Sequence, residues 1–178
     1  MTEVTTNSNM QLSEHLALPS EAALGHSNEL DGSCLSPHFK LGEFTKSNYP
    51  EVYNIPSHVA IENMKRICGW LEELRDRYNK RYDENAPIVI NSDYRSPQLN
   101  KKVGGVPTSN HLTGCAVDIR CYGIEQAIRY ATILMDYADE SKEEFDELFI
   151  EKNKYGRYWV HFAVRPCQNR HKISFLSP

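Results

Sequence analysis

The sequence predicts an α+β fold in which an antiparallel sheet is flanked by helices. Apolar residues recur at helical spacing between Ile61 and Tyr78 and between Ile124 and Ala138. Short β-branched or aromatic runs lie around these two stretches, and a glycine-containing bridge separates two of them. No internal repeat or second apolar core is visible, so we expect one domain.

Composition limits the classes of function. The net charge of −4 argues against a general nucleic-acid binder, which would need many Lys and Arg contacts to phosphate. No apolar run approaches the roughly 20 residues that cross a bilayer. The first residues lack a basic start followed by an apolar core, so a secretory signal is not expected and synthesis in the cytoplasm is. Five cysteines without paired metal spacing suit reduced thiols in a cytosol.

Residues 1–35 are predicted to form a mobile tail, and residues 36–178 are predicted to form the folded domain. Ser57 is a good cap for the first long helix, which should end in the polar run NKRYDENAP. Ile88–Ile90 is typical of a short buried strand. The segment DYRSPQLNKKVGGVPTSN contains two prolines and a glycine pair, so we expect mostly loop with a helical turn near Gln98–Lys102.

The C-terminal half is predicted to supply the rest of the sheet. Residues 115–120 indicate a strand whose alternation places Ala116 and Asp118 on one face. A second amphipathic helix and the acidic connection ADESKEEF follow. FDELFIE and YWVHFAV should form an antiparallel hairpin across the bridge KNKYGR, with His161 facing away from Val160 and Phe162. The C-terminal residues should add one edge strand.

Three polar side chains in apolar surroundings indicate a metal site. Asp118 lies in the apolar run AVDI, where a buried carboxylate is costly unless it is paired or bound to a metal. His161 repeats this pattern in YWVHFAV, and His111 lies on the loop that leads into the Asp118 strand. Three nitrogen and oxygen ligands with an open fourth position are typical of catalytic zinc.

The motifs, taken together, resemble those of the M15 zinc peptidases. The chain has Tyr-Arg-Ser-Pro, Leu-Asn, Val-Gly-Gly, Ser-x-His, Gly-x-Ala-x-Asp-Ile and Trp-Val-His in the family's order. The resemblance covers roughly residues 35–164. This family contains D-Ala-D-Ala carboxypeptidases, dipeptidases and related phage endolysins, and it shares its fold with the Hedgehog signalling domain.

The resemblance implies roles for individual residues. His111, Asp118 and His161 match the ligands of one zinc ion. Arg95 matches an arginine that holds substrate or stabilises charge during attack, for which a guanidinium fork is well suited. Ser109 matches a substrate-side hydrogen-bond donor, although a local turn cap would explain it equally well.

The resemblance offers two positions for the general base. The D,D-dipeptidases carry a glutamate three residues before the last histidine, and this chain has Tyr158 there. The Hedgehog-like branch carries its glutamate at the end of the preceding strand, which matches Glu151. Glu147 shares the alternation face and is the second choice, and Asp146 is the third. Cysteine catalysis through Cys115 is less favoured, because a small buried thiol in a strand needs no chemical role.

The expected function is zinc-dependent hydrolysis of an amide bond in a peptidoglycan stem peptide, by a carboxypeptidase or an endopeptidase. A monomer is expected, and the missing signal favours a phage or prophage product that acts on the cell wall. One alternative is an inactive metal-binding domain that recognises wall or peptide. Another is a cytosolic dipeptidase that removes D-Ala-D-Ala.

Overall fold

The computed structural model describes residues 32–177, which fold as one α+β domain, as the sequence predicts. Most of the predicted tail, residues 1–35, lies outside the described residues. In chain order the elements are α1 (Leu41–Thr45), α2 (His58–Tyr82), β1 (Ile90–Ser92), α3 (Pro97–Lys102), a 3-10 helix (Asn110–Thr113), β2 (Ala116–Cys121), α4 (Ile124–Ser141), β3 (Glu147–Lys152), β4 (Tyr158–Ala163) and β5 (Lys172–Leu176).

The five strands form a single sheet in the order β1-β2-β4-β3-β5. Every neighbouring pair is antiparallel except β3 and β5, which pair in parallel at the sheet edge. The predicted hairpin of β3 and β4 is confirmed. Its turn closes through a bond from the Asn153 N–H to the Arg157 carbonyl at 3.0 Å, and Gly156 takes a left-handed φ of 78°.

One face of the sheet packs against the two long helices and forms the core. Val117, Ile119, Val160 and Phe162 alternate onto this face, and each is completely buried. Trp70 of α2 packs against Phe162 with ring centroids 5.1 Å apart. Burial of side chains of this size stabilises the fold by about 1.5–3 kcal/mol each.

The opposite face of the sheet carries the polar residues of the same strands. Asp118 in β2 pairs directly with His161 in β4, and His161 pairs with Phe149 in β3. Because alternation is strict within each strand, Glu147 and Glu151 lie on this face on either side of Phe149. The helical layer therefore leaves this face available for a functional site.

Several element boundaries differ from those predicted. The first strand is Ile90–Ser92 rather than Ile88–Ile90, because β1 pairs with β2 around Ile119 and Asp118. Helix α4 continues to Ser141, so the first four residues of ADESKEEF are helical. Within residues 32–177 we find no helix with the length and apolar character to span a bilayer.

Candidate metal centre

Three side chains converge on the open face of the sheet. His111 comes from the 3-10 helix, Asp118 from the middle of β2 and His161 from the middle of β4. Each offers one ligand atom, and these atoms lie within 4.8 Å of one another. The residues are 3%, 9% and 8% exposed, respectively. The three residues predicted as ligands from the sequence are thus brought together.

Two distances between the donor atoms are close to those expected around a zinc ion. Asp118 Oδ1 lies 3.0 Å from His161 Nδ1 and 3.4 Å from His111 Nε2. Zinc bonds of about 2.0–2.1 Å in tetrahedral geometry separate neighbouring ligand atoms by about 3.3 Å. The donor set of two imidazoles and one carboxylate, without a thiolate, is also typical of catalytic rather than structural zinc.

Backbone groups hold His111 in the orientation that a metal requires. Its Nδ1–H donates to the Asp93 carbonyl at 2.6 Å, which leaves the Nε2 lone pair facing Asp118. The Arg95 N–H donates to the His111 carbonyl at 3.0 Å, so the two loops brace each other. Asn63 of α2 donates to the Thr113 carbonyl at 2.9 Å and fixes the end of the 3-10 helix.

Glu147 holds His161 in a corresponding way. Its Oε2 lies 3.3 Å from His161 Nε2, so this nitrogen donates to the carboxylate and Nδ1 faces Asp118. Phe149 stacks on the imidazole with ring centroids 5.4 Å apart. The hydrogen bond with His161 is the largest cause of a lowered pKa at Glu147.

The carboxylate of Glu147 is also bound by two other donors. Asn110 Nδ2 lies 2.9 Å from its Oε2, and Arg170 Nη2 lies 2.6 Å from its Oε1. Neighbouring Asp146 is completely buried and receives Arg170 at 2.7 Å and Arg165 at 3.0 Å. Sequence reasoning missed Asn110, Arg165 and Arg170, because nothing in their local sequence marks them.

Glu151 is in a different environment. It is half-buried, and within residues 32–177 no hydrogen bond or ion pair uses its carboxylate. Burial, followed by the nearby Asp118 carboxylate, raises its pKa. Its register places it diagonally from His161 at about 7–8 Å between Cα atoms. Glu151 thus retains a free carboxylate on the sheet face that carries Asp118 and His161.

Arg95 is bound to one of the candidate ligands. Its Nη2 donates to Asp118 Oδ2 at 2.6 Å, and its Nε donates to Ser92 Oγ at 2.9 Å. Burial opposes ionisation of Asp118, but His111 and His161 outweigh it and hold the Asp118 pKa well below its usual range. Nε and one N–H of Nη2 are engaged, so both Nη1 protons and the second Nη2 proton of Arg95 are left for substrate oxygens. The fork of two hydrogen bonds to a substrate carboxylate stays a prediction.

Ser109 acts as a local cap in the structure. Its Oγ accepts the His111 N–H at 3.3 Å at the start of the 3-10 helix. The hydroxyl proton is not used in this contact. A cap at this position fixes where His111 begins its turn into the site.

The buried carboxylate of Asp93, near the site, had no signal in the sequence. Asp93 is 1% exposed, and neither oxygen of its carboxylate has a hydrogen-bond partner among the described residues. Burial, and then the charge of Asp118, raises the Asp93 pKa.

Cys115 is also buried, and burial raises the pKa of its thiol. A raised pKa disfavours the thiolate that cysteine catalysis needs.

A groove of about 980 Å³ opens beside Asp118, the one candidate ligand among its lining residues. Arg95 and Asp118 line it at the metal centre, and Tyr122, Arg157 and Trp159 line it towards the β3–β4 turn. An extended peptide could therefore lie along the sheet face next to the candidate ligands.

The Peptidase M15 family model matches residues 37–153, more than half of the chain. This chain is an M15 peptidase. The match includes Arg95, His111, Asp118 and both glutamates of β3, and it ends before the strand that carries His161. No curated protein matches the chain. Membership in the M15 family makes the chain a peptidase, a metal-dependent class, and the cluster of His111, Asp118 and His161 could hold the metal.

Proposed function

We propose that this M15 peptidase uses zinc to hydrolyse an amide bond in a peptidoglycan stem peptide. The observation that carries the proposal is the meeting of His111, Asp118 and His161 on the open sheet face, with donor spacing that suits zinc. The groove lined by Asp118 and Arg95 supports a peptide substrate. The order of the sequence motifs, which resembles that of D-Ala-D-Ala peptidases, supports the cell wall as the source of that peptide.

The three ligands would hold the ion through His111 Nε2, one oxygen of Asp118 and His161 Nδ1. A zinc ion there would supply Lewis-acid chemistry, polarising the scissile carbonyl and acidifying water. The Asp93 backbone carbonyl would accept from His111 Nδ1–H and the Glu147 carboxylate from His161 Nε2–H, which would leave the other ring nitrogens to bind the ion.

Glu151 is the proposed general base. Its carboxylate takes a proton from the attacking water and passes it to the leaving amine. Glu147 is less suited to this task because Arg170, Asn110 and His161 already bind its carboxylate. Asp146 is unsuited because it is completely buried beneath two arginines. A raised pKa also agrees with a group that exchanges protons near neutral pH.

Arg95 and Ser109 are the proposed substrate contacts. The free Nη1 and Nη2 protons of Arg95 point to a contact with substrate oxygens, while one Nη2–H holds Asp118 and Nε–H binds Ser92. The Ser109 hydroxyl accepts from His111 and retains its proton for donation to substrate.

The test is hydrolysis of a synthetic stem peptide, L-Ala-γ-D-Glu-L-Lys-D-Ala-D-Ala, by the full chain after chelation and reloading with Zn²⁺. Mass spectrometry of the products identifies the bond that is cut. We expect Glu151→Gln to lower kcat about a hundredfold or more while zinc content is unchanged, because only the proton acceptor is lost. The matched control is Glu144→Gln, an exposed glutamate that precedes β3 and should retain wild-type rates.

Two results would contradict the proposal. If the zinc-loaded wild type cleaves neither the peptide nor intact peptidoglycan but still binds them, the chain is a recognition domain. If Glu151→Gln retains full activity, the base is a different residue.

A further inference from the structure

The groove beside the metal centre carries an excess of positive charge. Four cationic side chains line it, Lys46, Arg95, Arg120 and Arg157, against a single carboxylate, that of Asp118. The chain as a whole has a net charge of −4. The positive sign is therefore a local property of the groove, opposite to that of the protein.

Three of these cations have no carboxylate partner within the part of the chain that the structure describes. Arg120 donates from Nε to Asn91 Oδ1 at 2.9 Å, a neutral acceptor, and Lys46 and Arg157 are exposed at the groove wall. Elsewhere arginines are commonly paired, as Arg77 is with Glu140 and Arg81 with Asp136. Like charges that converge without neutralisation favour a bound anion.

The position of Arg120 relates this charge to the reaction centre. It follows Asp118 by two residues on the same face of β2 and pairs with Trp159 of β4. Two residues of a strand span about 7 Å. Arg157 lies just before β4, in the turn at the same end of the groove. A peptide that reaches the metal centre along this groove would thus pass both guanidinium groups within a few residues of the bond to be cut.

We propose that Arg120 and Arg157 form a subsite, separate from the contact made by Arg95, that selects substrates with a free carboxylate other than the C-terminal one within a few residues of the scissile bond. This inference rests on the proposed function and specifies its substrate. A guanidinium binds a carboxylate through charge-assisted hydrogen bonds with fixed geometry. Aromatic side chains of the same groove, Tyr122 and Trp159, provide apolar contact for the peptide around that charge.

The test compares two peptides that differ in a single group. One is L-Ala-γ-D-Glu-L-Lys-D-Ala-D-Ala, and the other carries an amide in place of the α-carboxylate of its γ-D-Glu residue. Both keep the same C-terminal carboxylate and the same peptide bonds, so the other substrate contacts, including that of Arg95, are held constant. We expect kcat/KM of the zinc-loaded full chain to favour the free acid about tenfold or more. In Arg157→Gln and in Arg120→Gln this ratio should fall close to one.

Arg81→Gln is the matched control. Arg81 is an exposed arginine on α2, outside the groove, and its loss should leave the ratio between the two peptides at the wild-type value. If the ratio of kcat/KM between the free acid and the amide is the same in the wild type and in both groove variants, the subsite proposal is wrong.

Binding separates this inference from the proposed function. Calorimetry with the zinc-loaded Glu151→Gln chain measures the affinity for both peptides without turnover. If the wild type cleaves neither peptide but the free acid binds more tightly in a manner that depends on Arg157, the function fails and the subsite stands. If both peptides are cleaved and bound equally, the subsite fails and the function stands. If neither is bound, both proposals fail.

Discussion

Two glutamates on one strand are given different chemistry by their surroundings. Glu147 and Glu151 share a face of β3, and Phe149 lies between them. Arg170, Asn110 and His161 bind Glu147 and lower its pKa, whereas burial and Asp118 raise the pKa of Glu151. Alternation predicts only that both face the site. The assignment of one to positioning and the other to proton transfer depends on partners that are distant in the sequence.

Glu147→Gln should therefore weaken metal binding rather than abolish the chemistry directly. The glutamine side chain carries no negative charge to accept from His161 Nε2–H. The imidazole is therefore oriented less firmly, and Nδ1 becomes a weaker metal ligand. We expect zinc affinity to fall about tenfold or more. Competition with a fluorescent zinc chelator measures this change.

Glu144→Gln serves as the control for that measurement, because it removes the same charge from an exposed position outside the site. Circular dichroism would show whether the fold is intact in both variants. An unchanged zinc affinity in a folded Glu147→Gln chain would show that the Glu147 contact with His161 does not position the ligand.

At the level of elements, local pattern and long-range pairing contribute different information. The alternation of residues in β2 and β4 places Asp118 and His161 on the face opposite the apolar residues, and this could be read from the sequence. The parallel pairing of β5 with β3 could not. It depends on how the chain after Val164 returns to the sheet, and the short polar segment there has no pattern that specifies a strand direction.

Gly114 connects the two elements that carry the candidate ligands His111 and Asp118. It ends the 3-10 helix that carries His111 and leads into the strand that carries Asp118. Its φ is +67°, and a Cβ at this position would lie 2.6 Å from the Ala60 carbonyl oxygen. We expect Gly114→Ala to lower the free energy of unfolding by about 2 kcal/mol or more, from left-handed backbone strain and this contact.

Gly69→Ala is the matched substitution for urea denaturation. Gly69 lies within α2, and a Cβ there would meet nothing within 4 Å. Alanine should stabilise the helix by about 0.5–1 kcal/mol. The two alanine variants should therefore change stability in opposite directions, and a Gly114→Ala chain as stable as the wild type would contradict the role of this turn.

On the scale of the whole molecule, the C-terminal segment completes the site. The third candidate ligand, His161, and the arginines that hold Asp146 and Glu147 all lie beyond residue 153, where the family match ends. Asp146 also joins the loop to the sheet, since its Oδ1 accepts the Arg170 N–H at 3.2 Å. The segment from Arg165 to Arg170 is thus fastened to the start of β3 by a buried carboxylate.

Because of this buried carboxylate, the free energy of unfolding should fall when the pH is lowered into the acid range. Burial opposes ionisation of Asp146, but the hydrogen bonds from Arg170 and Asn110 and the charge of Arg165 outweigh it, so the Asp146 pKa is lowered in the folded state. A lowered folded pKa contributes stability that is fully present above the unfolded pKa of about 3.9 and is lost as pH falls through the folded value.

Asp146→Asn should lower the free energy of unfolding by about 1–3 kcal/mol at pH 7. The loss is no larger because the arginines are partly exposed and solvent screens the pair. Urea denaturation of both chains from pH 7 downwards should show the difference shrinking below about pH 4, where the wild type loses the same charge. A difference that stays constant across this range would mean that the carboxylate acts through its shape and not through its charge.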